Sequence, residues 1–307
     1  MMQSTAARMF IGPTPSVAVT ANSRPSHGAV RLEEVVRMHS IICFTSDFGT
    51  GDTFVGICHA VIHRACPQAR IVDLAHNIPP FDVRKAAAVA AAGVWQLPDA
   101  IHLVVADPGV GGGRMDLALV TGDGSILVGP DNGVLIPASW RSGGVTAAYS
   151  LVPEHLDFRQ PLPTFHARDI LAPAAAALAC GVALEAIGEP VAVEELAPAP
   201  FGPCRQEGDA LIAEVIDIDR FGSLRMAVPA EEVLDRGLDT GRLELAFGHL
   251  RIEVPFGRTF SDVGEGEPVT LIDSSGWLTL AVHLGSASER YGVEPGATAR
   301  VRRLPPG

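Results

Sequence analysis

The chain has 307 residues, 35 acidic against 23 basic, and a formal net charge of −12. No basic excess is available to neutralise phosphates, so nucleic acid is excluded as a partner. With 47% hydrophobic and 19% charged residues the composition is that of a globular protein with a sizeable core, not of a disordered chain.

Residues 1–37 are rich in Ser, Pro and Ala, lack the apolar run of a signal peptide, and are expected to be a flexible tail. From residue 40 the pattern alternates. Residues 41–44 form a short apolar run ending in Thr45-Ser46-Asp47-Phe48-Gly49, a strand feeding a loop. Residues 53–64 carry Phe54, Ile57, Cys58, Val61 and Ile62 on one helical face. Residues 71–74 read as a second strand, and 83–96 as an Ala-rich helix that Pro98 stops. Residues 101–106 form a third strand, ending in Asp107-Pro108-Gly109. Strands separated by helices of this length predict βαβ units and a mostly parallel sheet. Segments 117–121 and 126–128, joined through Gly122-Asp123-Gly124, predict a hairpin. Residues 170–188 form the longest apolar stretch and predict a buried helix ending at Gly188, not a membrane span.

At 189–205 prolines and acids predict a linker. Six short alternating segments follow, at 210–216, 224–228, 242–245, 250–254, 269–272 and 278–282. They predict a small antiparallel sandwich or barrel. The expected layout is a tail (1–37), an α/β domain (38–188), a linker (189–205) and a β domain (206–307). The odd cysteine set, Cys43, Cys58, Cys66, Cys180 and Cys204, has no Cys-x-x-Cys pair. It points to buried thiols in a reducing, cytoplasmic setting, not to a disulfide framework.

Ligands of open parallel sheets bind beyond the carboxyl ends of the strands. Asp47, Asp73 and Asp107 each stand at such an end and would converge on one edge. A carboxylate cluster there suits ribose hydroxyls or a sulfonium cation. Asp131-Asn132-Gly133 reads as a turn, with Asn132 as a ligand contact the alternative. Thr164-Phe165-His166-Ala167-Arg168-Asp169 places a histidine in a polar loop before a helix, where Asp169 would cap and Arg168 would pair with an acid. The stretch from Gly109 to Arg114 lacks the Gly-Lys-Ser/Thr of a triphosphate loop. Asp47, Asp73, His76 and His166 match no tight metal-ligand spacing, and no metal is expected. Asp217 to Ser223 and Asp273 to Gly276 are polar turns of the second domain that would close a pocket at a domain interface.

Taken together and in order, these strings resemble the S-adenosylmethionine hydroxide adenosyltransferase family, which also contains the fluorinase and chlorinase. The resemblance spans about 40–305. It implies an α/β domain joined to a smaller β-barrel-like domain, and a homotrimer with sites between one subunit's first domain and a neighbour's second. It implies hydrolysis of S-adenosylmethionine to adenosine and L-methionine by attack of water at C5′, with no cofactor. Membrane and nucleic-acid partners are not implied. Asp107 and His166 are hydrolase-type residues in this comparison, and the halide position falls on Ala167. A halide adenosyltransferase and a non-catalytic binder of S-adenosylmethionine are the alternatives.

The family's water is set by an Asp–Arg–His group. The resemblance places its Asp on Asp73 and its His on His166, and expects the Arg seven residues after the Asp, where Pro80 stands, with Arg84 four further on. For the substrate it implies Asp47 and Asp107 on the ribose side and Phe81 beside the adenosine. From the second domain it implies Asp219 and Ser274 at the amino-acid part, with Ser223, Ser275 and Leu284 completing the pocket.

Overall fold

A computed structural model describes residues 40–156 and 161–305; the expected tail lies outside the described residues. The first domain is built on a seven-stranded sheet. Its elements are β1 (Ile41–Ser46), α1 (Phe54–Ala65), β2 (Arg70–Ala75), α2 (Val83–Gln96), β3 (Ile101–Val105), β4 (Asp116–Thr121), β5 (Ile126–Pro130), α3 (Ile136–Ser139), β6 (Val145–Leu151), α4 (Ala172–Ala179) and β7 (Gly188–Val191). The strand order is β2-β1-β3-β5-β4-β6-β7. The four strands from β2 to β5 are parallel. The expected β4–β5 hairpin is antiparallel, and β6 and β7 continue antiparallel to the sheet edge.

The sheet forms here because its central strands are apolar on both faces. All five residues of β3 are buried, as are five of the six in β1, the pattern of a sheet covered by helices on both sides. Helices α1 and α4 pack with one face in a core that includes Phe44, Ile62 and Leu171. Helix α2 packs on the other face through Ala86, Ala87, Ala90, Ala91 and Val94. Its small residues let the helix approach closely: a Cβ at Gly93 would meet the Leu74 side chain at 2.5 Å. Asp82 caps α2 by accepting from the Lys85 amide at 2.9 Å.

Two expectations change. The apolar stretch 170–188 is not one helix. It opens with a π-helical turn, Ala167–Leu171, continues as the eight residues of α4, and breaks at Cys180-Gly181 before Gly188 starts β7. Gly181 has φ +83°, which ends the helix. The first sheet therefore reaches Val191, inside the segment expected as a linker. The second change concerns the thiols: Cys66, at the end of α1, and Cys180, at the end of α4, are joined as a disulfide with Cα atoms 5.9 Å apart. Cys43 and Cys58 are buried and free, and burial pushes their thiols up to about 11 and about 12, so they are inert. Among the described residues no helix is long and apolar enough to cross a membrane.

The second domain contains β8 (Arg205–Glu207), β9 (Ala210–Ile218), β10 (Leu224–Pro229), α5 (Ala230–Asp235), β11 (Arg242–Phe247), β12 (Leu250–Pro255), β13 (Pro268–Ile272), β14 (Trp277–Val282), α6 (Ala287–Tyr291) and β15 (Thr298–Arg303). The order is β12-β11-β15-β9-β10-β14-β13, with β8 paired to β9. The strands are antiparallel, and the sheet nearly closes on itself. Gly257 N donates to Thr270 O at 2.8 Å, and Thr270 Oγ1 donates to Pro255 O at 3.1 Å across the gap between β12 and β13. The six expected segments are all strands; β8 and β15 were not expected. Strand β15 alternates buried Ala299 and Val301 with Arg300 and Arg302, so its charge hides its period.

Helix α2 joins the two domains. Lys85 pairs with Asp217 and donates to Ile218 O at 2.9 Å, and Arg84 donates to Glu214 at 2.9 Å. Gln96 Nε2 donates to Ser274 O at 2.7 Å, and Arg141 Nη1 to Ser275 O at 2.9 Å. Buried Asp217 also accepts from Arg225, which in turn donates to Asp273 at 2.5 Å. Burial would lower the Arg225 guanidinium, but these carboxylates outweigh it and hold it raised.

Candidate active site

Asp47 and Asp107 stand just past the carboxyl ends of β1 and β3 as expected, whereas Asp73 lies inside β2, two residues before its end; the spatial order is 73, 47, 107. They share an edge but belong to three separate hydrogen-bonded groups.

The group at Asp107 is the most enclosed. Arg114 grips Asp107 with both edges of its guanidinium: Nε donates to Oδ1 at 2.9 Å, and Nη2 to Oδ2. Its Nη1 donates to Asp116 Oδ1 at 2.5 Å and to Met115 O at 2.9 Å. The other oxygen of Asp116, Oδ2, lies 2.8 Å from His166 Nδ1. Arg114 Nη2 is 3.5 Å from the same nitrogen. All four side chains are largely buried, with His166 the most open at 16%. An ionised carboxylate only accepts, so Asp116 requires the proton on Nδ1 and leaves Nε2 of neutral His166 as a base. Burial disfavours the Arg114 cation, but its two carboxylates win and raise it further, so one fixed positive charge sits between two negative ones.

Two local features place this group. Gly111 adopts φ +75°, and a Cβ there would lie 2.3 Å from Pro163 O, so only glycine lets the loop of Asp107 reach the loop of His166. Beyond His166, Phe165 stacks edge-on with Phe48 and Phe54 at 5.8 and 5.3 Å. Buried Asp169 accepts from the Leu162 amide at 3.0 Å and pairs with Arg168. The turn carrying His166 is thus fixed on both sides. Asn132 ties the end of β3 to its own loop, donating to Ala106 O at 2.8 Å.

At the end of β1, Asp47 Oδ2 accepts from the Phe81 amide at 2.8 Å. Phe81 holds φ 71°, unusual for a bulky residue, and the residue is 71% exposed. A strained backbone presenting a bare aromatic ring is characteristic of a ligand site. Leu284, in the second domain, shows the same pair of features, with φ 54° and 78% exposure.

Asp73 lies elsewhere. Its Oδ1 is 2.9 Å from His59 Nε2 and 3.0 Å from His76 Nε2. His76 Nδ1 is 2.7 Å from Ser46 Oγ. Burial raises the Asp73 carboxyl, but the bonds from His76 and His59 outweigh it and leave it lowered. The partner of His166 is Asp116, not Asp73. Arg84, engaged with Glu214 and set over the Phe201 ring at 5.6 Å, does not fill the place of an arginine at Pro80.

In the second domain, Asp219 Oδ1 accepts from the amides of Phe221 and Ser223 at 2.8 and 2.9 Å, shaping the turn after β9. Ser223 and Leu284 line a cleft of about 600 Å³ with Phe221, Phe260 and His283. Ser274 and Ser275 are not in that lining. Their carbonyls receive Gln96 and Arg141 at the domain joint.

Sequence reasoning missed Arg114 and Asp116. The signal was present: Arg114 follows Asp107 by seven residues, the spacing expected of the Asp–Arg–His set. Asp107, Arg114 and His166 belong to one bonded group at that spacing, whereas Asp73 bonds His59 and His76 instead.

The chain matches two family models, the SAM hydroxide adenosyltransferase N-terminal domain over residues 42–188 and the corresponding C-terminal domain over 213–300. It is 42% identical over 262 residues to the (R)-S-adenosyl-L-methionine hydrolase of Salinispora tropica, covering 85% of this chain and 97% of the relative. The Thermus thermophilus protein of the same name is 39% identical, over 85% and 98%. The fluorinase of Actinopolyspora mzabensis is more distant, at 29%, over 86% and 97%. Among solved structures, a conserved protein from Thermotoga maritima aligns with a TM-score of 0.78 at 33% identity, over 85% of this chain and all of that one.

Proposed function

The chain belongs to the SAM hydroxide adenosyltransferase family, and from that premise we propose that it hydrolyses S-adenosylmethionine to adenosine and L-methionine, with His166 as the base. The hydrogen bond between Asp116 Oδ2 and His166 Nδ1, 2.8 Å, carries the reading. It directs the basic Nε2 away from Asp116 and stabilises the imidazolium once a proton arrives.

Water attacks C5′ in line with sulfur. The C5′–O bond forms while the C5′–S bond breaks with its electron pair passing to sulfur, and the water proton goes to His166 Nε2. The leaving thioether is neutral and needs no acid. Most of the rate comes from in-line placement, where well-oriented groups supply on the order of 7–11 kcal/mol. Arg114 keeps Asp107 and Asp116 in register and balances their charge beside the imidazole. Asp47, with Oδ2 held by the Phe81 amide, offers Oδ1 to the ribose, and the exposed Phe81 ring offers a face for the adenosine.

Ser223 and Leu284 take the other side of the substrate in this reading, from the neighbouring chain of a homotrimer. Two half-sites with bare apolar residues, Phe81 in one domain and Phe221 and Leu284 in the other, support that arrangement. The relatives' name supports the (R)-sulfonium epimer as the preferred substrate. The test is turnover of the separated (R) and (S) epimers by the wild type and by His166→Ala. Faster wild-type release of adenosine from the (R) form, lost in the variant, supports the proposal. Equal turnover in His166→Ala overturns the role of His166.

A further inference from the structure

The mechanism leaves one cluster of metal-ligating side chains unused. Nε2 of His59, on α1, and Nε2 of His76, after β2, both converge on Oδ1 of Asp73, at 2.9 and 3.0 Å. Two imidazoles and one carboxylate, each offering an atom within 4.8 Å of the others, form the only such group among the described residues. We propose that His59, Asp73 and His76 bind a divalent transition ion of the zinc, cobalt or nickel type.

The donor set fits that class. Two imidazoles and a carboxylate suit intermediate ions, whereas magnesium and calcium prefer all-oxygen shells. The ligand atoms need to separate only slightly to surround an ion at about 2.0–2.1 Å from each donor. The outer support is also in place. His76 Nδ1 bonds Ser46 Oγ at 2.7 Å, which orients the ring as second partners of metal-binding histidines do. The Phe44 ring packs edge-on to His76 at 4.7 Å and lies 6.1 Å from His59, forming an apolar floor. His76 is buried, while His59 and Asp73 reach solvent, so an ion has an entry path and an outer position for water.

The ion would staple α1 to the end of β2. Through Ser46 it would also brace the end of β1, next to Asp47. This inference does not rest on the hydrolase reading, because metal binding is measured without substrate.

The experiment is calorimetric titration of the untagged, chelator-treated full chain with zinc, and separately with cobalt, whose visible absorption reports coordination. Wild type should bind one saturable equivalent per chain, with cobalt bands of a nitrogen- and oxygen-ligated ion. His59→Ala and Asp73→Asn, both at solvent-reached positions, should lose that equivalent. His63→Ala, which alters an exposed histidine of the same helix, should keep it. Absence of a saturable equivalent in the wild type, or its retention in both His59→Ala and Asp73→Asn, would overturn the proposal.

Discussion

At the scale of single residues, the proposed mechanism rests on His166 and Asp116, and their roles separate experimentally. His166→Ala should lower kcat by about 10²-fold or more, the range for a lost acid–base group. Asp116→Asn keeps the shape but can no longer enforce the proton on Nδ1, so kcat should fall while KM changes little. Steady-state kinetics of both variants decides this; an Asp116→Asn enzyme with unchanged kcat would remove Asp116 from the mechanism. Asp73 gives a stability prediction. Its carboxyl is lowered, so its contribution is complete above the ordinary carboxylate value near 4 and disappears as pH falls through the lowered one. Urea unfolding over a pH series should show wild type more stable than Asp73→Asn above about pH 4, with the difference closing in acid. His166 was legible in the sequence because it stood in a polar loop. Asp116 was not, because it opens a strand that continues with the apolar run Leu117–Val120, and a carboxylate there reads as a strand end. Arg114 was hidden by its glycine-rich neighbourhood, which looked like a failed phosphate loop.

The site depends at the scale of elements on two loops held against each other. Gly111 has a positive φ and sits against the Pro163 carbonyl, so Gly111→Ala meets both backbone strain and a clash. It should destabilise the fold by more than about 1 kcal/mol and lower activity with it. Thermal unfolding beside kinetics checks this; an unchanged Tm would show that the loop accommodates a side chain. The parallel core was readable because β1 and β3 are apolar runs between helices of the right length. The π turn was not. It runs from polar Arg168 and Asp169 into Ile170 and Leu171, which open the apolar stretch that α4 continues, and composition alone does not show where the helical period changes. The Cys66–Cys180 pair was equally opaque, since 114 residues separate two cysteines that only the packing of α1 on α4 brings together.

In the proposed function the whole molecule carries two half-sites, one at the edge of the parallel sheet and one in the cleft of the barrel. Sharing them between chains makes a clear prediction. His166→Ala spoils one half and Ser223→Trp fills the other, so each alone should be inactive. Dissociated and reassembled together, they should recover part of the wild-type activity, because some interfaces pair two intact halves. No recovery in an assembly shown by light scattering to contain both chains would place each site within one chain. The central claim is displacement of methionine from C5′ by water, and one reaction tests it directly. The protein is incubated with S-adenosylmethionine in water labelled with heavy oxygen, with and without chloride, and the products are analysed by mass spectrometry. Adenosine and methionine in equal amounts, label only in the 5′-hydroxyl of adenosine, and no effect of chloride are expected. Unlabelled adenosine, a 5′-chloro product, or bound substrate without turnover would contradict the claim.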